Sequence, residues 1–491
     1  MSTIHLSRTK LNFCSLTSGA ASTPQEVSIT NSGSGTLKWN ISVDAPWLIC
    51  APGSGAGNGT IFVSINSAGL TLGTYTGKVI ISDPNATNSP QSIFVTLKVK
   101  SGAQYTGPFG EFSTPVDGST VRNSIPVTGW ALDDIEIQSV KIYREDGNAL
   151  VLIGDVVFVE GARPDVEAAY PDYPFNYKAG WGYMLLTNFL PNGGNGVFKL
   201  HAVAASTEGK IADLGVKTIT VDNAHAVKPF GAIDTPTQGG TASGKHFINS
   251  GWILTPMPNM IPFDGSTIGV WIDGVYIGHP VYNKYREDIA LLFPGYANSN
   301  GAACYYYLDT TAYKNAIHTI QWTAADSGGN IDGIGSRYFS IQNSAIPGAG
   351  GANDQAPGIR YQGSEFRRGE PVCSPNPVQC LPVKNLFGTV DIVKGYREDA
   401  ATTPQTVYPN ENGIIAVEIK ELERVEIHFP VSPVNNISSL PIGSTLDVEK
   451  GIFYWQPGPG FIGEYHLVFI EKEERGPVNR KDVIVKIIPG Y

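Results

Sequence analysis

One unit is written twice in this chain, and that duplication constrains the fold more than any other feature. The first copy opens with Pro108-Phe109-Gly110 and Thr114-Pro115, the second with Pro229-Phe230-Gly231 and Thr235-Pro236. Each continues with a Gly-Trp pair (Gly129-Trp130; Gly251-Trp252) and an Asp-Gly turn (Asp146-Gly147; Asp273-Gly274). An Arg-x-Asp-aliphatic stretch follows, from Arg163 to Val166 and from Arg286 to Ile289. Arg163 precedes Tyr183 by the same interval at which Arg286 precedes Tyr306. Each copy is expected to close on an Ala-Ala turn, at Ala204-Ala205 and Ala324-Ala325. Tandem copies of one domain point to a modular protein that reaches or assembles, rather than to an enzyme built around a single cleft.

The rest of the chain fits the same plan. Its 491 residues hold three to five domains of roughly 100–150 residues each. Charged residues make up only 16%, while 56 glycines and 34 prolines punctuate the sequence. That is the profile of many short strands joined by tight turns. The net charge of −10 argues against a nucleic-acid partner, which would call for a basic footprint. Residues 1–100 are mildly basic, with six Lys/Arg against three Asp/Glu, a balance read as a solvated surface.

Within residues 1–100, Val27 to Thr30, Thr60 to Ile65 and Ile93 to Val99 are rich in β-branched and aromatic residues. Several alternate at period two, and Gly/Ser/Asn clusters separate them, as expected for a sandwich with one wet and one buried face per sheet. Asn31-Ser32-Gly33-Ser34-Gly35-Thr36-Leu37, Trp47-Leu48, Pro52-Gly53-Ser54-Gly55, Gly73-Thr74-Tyr75-Thr76-Gly77 and Asn88-Ser89-Pro90-Gln91 follow in order. Together they resemble a BACON domain, an Ig-like module of bacterial surface proteins, secreted glycosidases and some phage structural proteins. The resemblance implies carbohydrate association but carries over no sugar-binding residues.

Residues 101–107 read as a short polar linker. In the repeats, Val140 to Tyr143, Gly269 to Ile272 and Ile317 to Trp322 read as strands, and the copies resemble bacterial Ig-like domains of surface proteins. Each holds one non-strand piece, Pro164 to Tyr170 and Glu287 to Phe293, with acids first, apolar residues next and a proline stop at Pro171 or Pro294. That pattern predicts a short helix plugging the end of the sandwich. Near 440–470, Leu440-Pro441-Ile442-Gly443 leads to Phe453-Tyr454-Trp455-Gln456-Pro457 and Gly463-Glu464-Tyr465. This run resembles the putative-Ig, cadherin-like module of bacterial surface proteins, with Val483 to Ile488 as its closing strand.

The expected fold is therefore all-β: four tandem Ig-like β-sandwiches with a Gly/Pro-rich linker before the last. The expected boundaries are 1–101 (BACON-like), 107–223 and 228–343 (the repeats), 344–384 (linker or docking arm) and 385–491 (putative-Ig, cadherin-like).

Chemistry-bearing patterns are few. The eight histidines include no H-E-x-x-H, and no G-x-S-x-G elbow, P-loop or Rossmann fingerprint lies in its required context. Arg163 with Asp165, and Arg286 with Asp288, are expected to be structural ion pairs holding the short helices. Asp326, Asn330 and Asp332 surround a hairpin turn and are candidate Ca2+ ligands; no other cofactor is expected. Tyr305 and Tyr307 lie two apart on a strand and so share a face; with Trp181 and Tyr183 they are candidate sugar-stacking residues, whereas Trp130, Trp252 and Trp455 read as core. Five cysteines leave at least one thiol unpaired within the chain, and Cys373–Cys380 and Cys14–Cys50 are the candidate disulfides. No stretch is long and apolar enough to span a membrane, and residues 1–10 lack the apolar core of a signal peptide.

Together these features point to a non-catalytic protein of the cell surface or extracellular space: a stalk, adhesin or fibre subunit whose partners are other copies of itself. The alternatives are a carbohydrate-binding surface protein and a phage virion protein of tail or capsid.

Overall fold

Period-two burial runs through the strands of the first sandwich. Along Gln25–Asn31, Gly59–Ile65, Gly73–Ser82 and Gln91–Lys100 the buried residues Val27, Ile29, Ile61, Val63, Val79, Ile81, Ile93, Val95 and Leu97 alternate with exposed or half-buried ones. Two sheets face one another over this core. A computed structural model describes residues 1–343, 388–395, 404–436, 440–472 and 478–490. The chain is all-β, a series of four Ig-like sandwiches, each built from one four-stranded and one five-stranded sheet. By compactness it divides into two units, one of residues 1–118, 128–183 and 198–219, the other of 119–127, 184–197 and 220–491. The expected 344–384 arm and the Cys373–Cys380 bridge lie outside the described residues.

The four sandwiches share the parallel pairing of an early strand with the last, and in the first three the leading segment contributes to both sheets. In the first, Ile4–Leu6 pairs antiparallel with Gln25–Asn31, and then Lys10–Leu16 crosses to pair in parallel with the last strand, Gln91–Lys100. In the repeats, Phe109–Thr114 and Phe230–Thr235 pair antiparallel with the strand that follows. Thr120–Val121 and Gly240–Ala242 then pair in parallel with the final strands Ile211–Asp222 and Ile331–Ile341. In the last sandwich Ile414–Lys420 pairs in parallel with Val478–Ile488. The repeats match strand for strand. The order Phe109–Thr114, Ser124–Leu132, Gly180–Leu186, Val157–Phe158 corresponds to Phe230–Thr235, Phe247–Leu254, Ala303–Leu308, Val281–Lys284.

The duplicated motifs now have physical reasons. Gly129 sits where a Cβ would overlap the Glu111 carbonyl oxygen and the indole of Trp181, which is fully buried. Gly251 meets the Ala232 carbonyl and the buried Trp322 in the same way. Close approach of two strands over a large ring therefore requires glycine at both positions. Trp130, Trp252 and Trp455 are buried core residues.

The short helices are present at Pro164–Ala169 and Glu287–Leu292. Val166 packs with Trp130, Leu132 and Ala179, and Ile289 with Trp252, Leu254 and Phe293, so each helix covers an aromatic cluster of its own repeat. The Ala-Ala turns are a correction. Ala204-Ala205 and Ala324-Ala325 belong to the strands Asn195–Ser206 and Ile317–Ala325, and Ala204 and Ala324 are core residues. The reversals fall just beyond them, where Gly209 (φ 78°) and Gly329 (φ 80°) supply the left-handed conformation that alanine resists. A methyl group at Gly251 has no room, so Gly251→Ala should cost about 1–3 kcal/mol through overpacking, visible as a lowered Tm in a thermal melt. An unchanged Tm would refute the close-approach account.

Candidate functional site

The strand Ala303–Leu308 carries the most ligand-like surface. Tyr305 and Tyr307 do share a face, their rings edge-to-face with centroids 5.3 Å apart. Cross-strand register sets Ile248 opposite Tyr307, and Ser250 and Val281 opposite Tyr305. Ile248, Val281 and Tyr307 are each about half exposed (50%, 45% and 55%), and the His246 ring lies edge-on to Tyr307. The result is a flat aromatic and aliphatic patch on the outer face of repeat 2.

Repeat 1 has no counterpart. Trp181 is a correction: its indole is 0% exposed and packs against Phe112, so it offers no surface for a sugar. Tyr183 lies against Gly154 of the edge strand, where a Cβ would stand 2.7 Å from its ring. Tyr306 takes the equivalent position beside Gly278 and donates its hydroxyl hydrogen to the Ile277 carbonyl at 2.8 Å. Tyr183 therefore belongs with the inner packing and not with the patch.

The predicted ion pairs meet. Arg163 donates Nε to Asp165 Oδ1 at 2.9 Å and Nη2 to Asp165 Oδ2 at 2.7 Å. Arg286 makes the same fork on Asp288, at 2.8 and 2.9 Å, and adds a bond to Asp234. The first-turn acid of each short helix is thereby tied back to the arginine that precedes it.

The candidate Ca2+ turn is closed by its own hydrogen bonds. Asp326 is 6% exposed, and its carboxylate accepts from Thr255 Oγ1 (2.8 Å), Gly328 N (2.9 Å) and Asn330 N (3.0 Å). Asn330 turns its amide Nδ2, not its oxygen, toward Asp326, at 3.0 Å from Oδ2. Asp332 instead lies 3.8 Å from Lys228 Nζ; burial raises its carboxyl pKa, an effect Lys228 partly opposes. Asp326, Asn330 and Asp332 therefore do not converge as three oxygen ligands. Cys14–Cys50 is also a correction: both thiols are free. Cys14 clusters with Leu16, Tyr105 and Ile135, while Cys50 packs at the margin of the sandwich core, so their side chains serve different packings. Burial pushes both thiols up to about 11, and Cys304, buried against the Gly251 carbonyl, is raised as well.

Sequence reasoning missed the joints. Inside the first unit, residues 101–107 are a packed element, not a free linker. Tyr105 is buried with its hydroxyl oxygen 2.7 Å from Ser206 Oγ and 3.1 Å from Asp133 Oδ2. Lys100 Nζ reaches Asp134 at 2.5 Å, and Ser22 Oγ donates to the Ile135 carbonyl at 3.1 Å. Arg8 stacks 3.5 Å from the Tyr177 ring centroid and pairs with Glu160. Beside it, Arg8, Lys10, Asn12, Glu167 and Tyr177 line a cavity of about 140 Å3.

Inside the second unit, Arg424 of the last sandwich closes over repeat 2. Its Nε donates to the Gly274 carbonyl at 2.9 Å, its guanidinium lies 4.5 Å from the Trp271 ring, and it pairs with Glu426. The Asp-Gly turn spotted in the sequence is thus also a docking knob. Asp273 holds this turn: Oδ1 accepts from Thr319 N at 2.9 Å and Oδ2 lies 2.6 Å from His318 Nδ1. His318 Nε2 faces the Lys314 carbonyl at 2.9 Å. Both partners are acceptors, so both contacts are hydrogen bonds only when the ring carries both protons, and the site favours the imidazolium. Burial opposes that charge, yet Asp273 and the carbonyl outweigh it and raise the His318 pKa.

No family model matches the chain, and neither does any curated protein. Solved structures give only low scores. The chain is similar to fibronectin(III)-like modules of Clostridium thermocellum CbhA at 14% identity, over 50% of this chain and 100% of that one, with a TM-score of 0.16. Sidekick-1 immunoglobulin domains 1–4 give 9% identity over 99% of each chain and a TM-score of 0.22. The Protocadherin GammaB4 extracellular domain gives 10%, over 99% of this chain and 67% of that one, with a TM-score of 0.17. Likenesses this low add nothing to what the sheets establish. Among the described residues no helix is long and apolar enough to cross a membrane.

A group whose pKa is raised in the folded state stabilises fully below its unfolded value, about 6.5 for histidine, and that stabilisation fades as pH rises through the raised value. The urea midpoint of the protein should therefore fall as pH rises from about 6 to about 9, and His318→Gln should remove much of that slope. Equal slopes in both proteins would show that the ring is not charged in the fold.

Proposed function

We propose that this chain is a non-catalytic extracellular structural or adhesive protein, a cell-surface stalk or fibre subunit, with a first sandwich of the BACON kind. The observation that carries the reading is the character of the joints. Within each unit, successive sandwiches meet through buried aromatic, cationic and hydrogen-bonded contacts: Tyr105 and Lys100–Asp134 in one, Arg424 over Trp271 in the other. Joints of this kind suit a protein that bears load or holds distance. Immunogold labelling of intact cells that make the protein tests this directly. Dense surface label, lost after external protease, is expected; label confined to the cell interior would end the stalk reading.

The exposed patch of repeat 2 supports a second reading, a carbohydrate-binding surface protein. Paired tyrosines beside an apolar floor suit the apolar face of a sugar ring. On a glycan array Tyr307→Ala should reduce any specific signal by about tenfold, the loss of roughly 1.4 kcal/mol of stacking. A specific signal unaltered in the variant would remove the patch from the account.

A further inference from the structure

The edge strand Ala149–Asp155 of repeat 1 is unlike the other long sheet edges among the described residues. It ends its five-stranded sheet and pairs only with Ile137–Asp146, in regular register from Ala149 to Leu152 and with a bulge at Ile153. It is uncharged from Ala149 to Gly154, and Leu150, Val151 and Leu152 are 48%, 36% and 50% exposed. Sheet edges with free backbone groups invite pairing, and proteins blunt them with charge, proline, bulges or a cover. The other edges follow that rule. Lys10–Leu16 is buried along most of its length, Phe109–Thr114 carries Glu111, Phe230–Thr235 carries Asp234, and Ile414–Lys420 carries Glu418 and Lys420 on its exposed face.

The matching edge of repeat 2, Val275–Gly278, is shorter and half-buried throughout, with Tyr276 against Trp271 and His279. The Asp273-Gly274 turn ahead of it is already an interface, seated on Arg424 of the last sandwich. In repeat 1 the same hairpin is longer, and its outer strand carries the apolar residues.

We propose that Ala149–Asp155 is a homotypic docking edge, pairing antiparallel with the same strand of a second copy; this rests on the self-associating form of the structural reading above. Symmetry restricts the register. A two-fold axis perpendicular to the sheet keeps each face on its own side, so residues directly opposite must share a face. Along the regular stretch from Ala149 to Leu152 their numbers must then both be odd or both be even, and the axis lies between a residue and its own copy in the partner.

Centred on Val151, the pairing sets Val151 against the partner's Val151, and Leu150 against the partner's Leu152. By register with Ile137–Asp146, Leu150 lies opposite Glu145 and Leu152 opposite Tyr143, so both leucines stand on the outer face. No like charges are set opposite. The bordering acids are already matched within the chain, Asp155 by Lys141 at 3.5 Å and Asp146 by Arg144 at 3.1 Å. An apolar, self-complementary run closed at both ends by internal ion pairs fits a second copy of itself.

Light scattering on the full chain after gel filtration, at micromolar concentration, tests this. The wild type should show the mass of two chains. Leu150→Lys with Leu152→Lys places lysines opposite one another and should give one chain, with near-ultraviolet circular dichroism unchanged. Leu150→Lys with Leu152→Glu places opposite charges across the axis and should restore two chains. A single-chain wild type overturns the proposal, as does a doubled mass that survives the lysine pair. Failure of the lysine–glutamate pair to restore the dimer overturns the register. A wild type that assembles regardless of these substitutions refutes this edge but leaves the stalk reading standing, since that is decided by surface labelling.

Discussion

Parallel pairing of an early strand with the last strand closes every sandwich in this chain. It ties the two ends of each module into one sheet, as Lys10–Leu16 along Gln91–Lys100 and Ile414–Lys420 along Val478–Ile488 show at the chain's two extremes. In the first unit, entry and exit of the sandwiches are fixed by such backbone hydrogen bonds, and residues 101–107 between them inherit a defined position. Packed joints follow from that constraint. Tyr105 finds Ser206 and Asp133 because the strands on either side of it cannot drift.

The joints share a chemistry. Each uses a cation over an aromatic ring: Arg8 over Tyr177, Lys210 over the Tyr105 ring at 4.4 Å, and Arg424 over Trp271. Such contacts are worth more when partly desolvated than in water, and each cation also satisfies an oxygen across the joint: Arg8 the Glu160 carboxylate, Arg424 the Gly274 carbonyl and Lys210 the carbonyl of Tyr105 itself. A chain with few charged residues thus places several of them where two sandwiches meet. In both repeats the short helices close an aromatic cluster, so bulky rings that would otherwise be wet are covered by Val166 and Ile289.

Duplication has been put to two uses. The scaffold is kept, with the same strand order, the same Gly-Trp approach over a buried indole and the same Arg-Asp fork. The surfaces have diverged. Repeat 2 carries the Tyr305–Tyr307 patch and offers its Asp-Gly turn to the last sandwich; repeat 1 buries Trp181 and presents Leu150 and Leu152 on its edge. Strand hydrogen bonds are blind to outward side chains, so outward positions can change without disturbing the fold.

The sequence by itself determined what depends on local pattern. Period-two alternation marked strands such as Ile93 to Val99, the acid-then-apolar runs marked the two helices, and spacing alone put Tyr305 and Tyr307 on one face and each arginine within reach of its aspartate. What tertiary structure decided was which of two faces is inside and what lies across the gap. Trp181 read as a surface aromatic because alternation does not say which side of a sheet is wet. Cys14 and Cys50 read as partners because strand content does not say which packing each thiol joins. The Asp326 turn read as a cation site because composition cannot show that the carboxylate is already filled by Thr255, Gly328 and Asn330. The joints were invisible for the same reason. Arg424 and Trp271 lie far apart in sequence, and only the folded modules bring a cation to that ring.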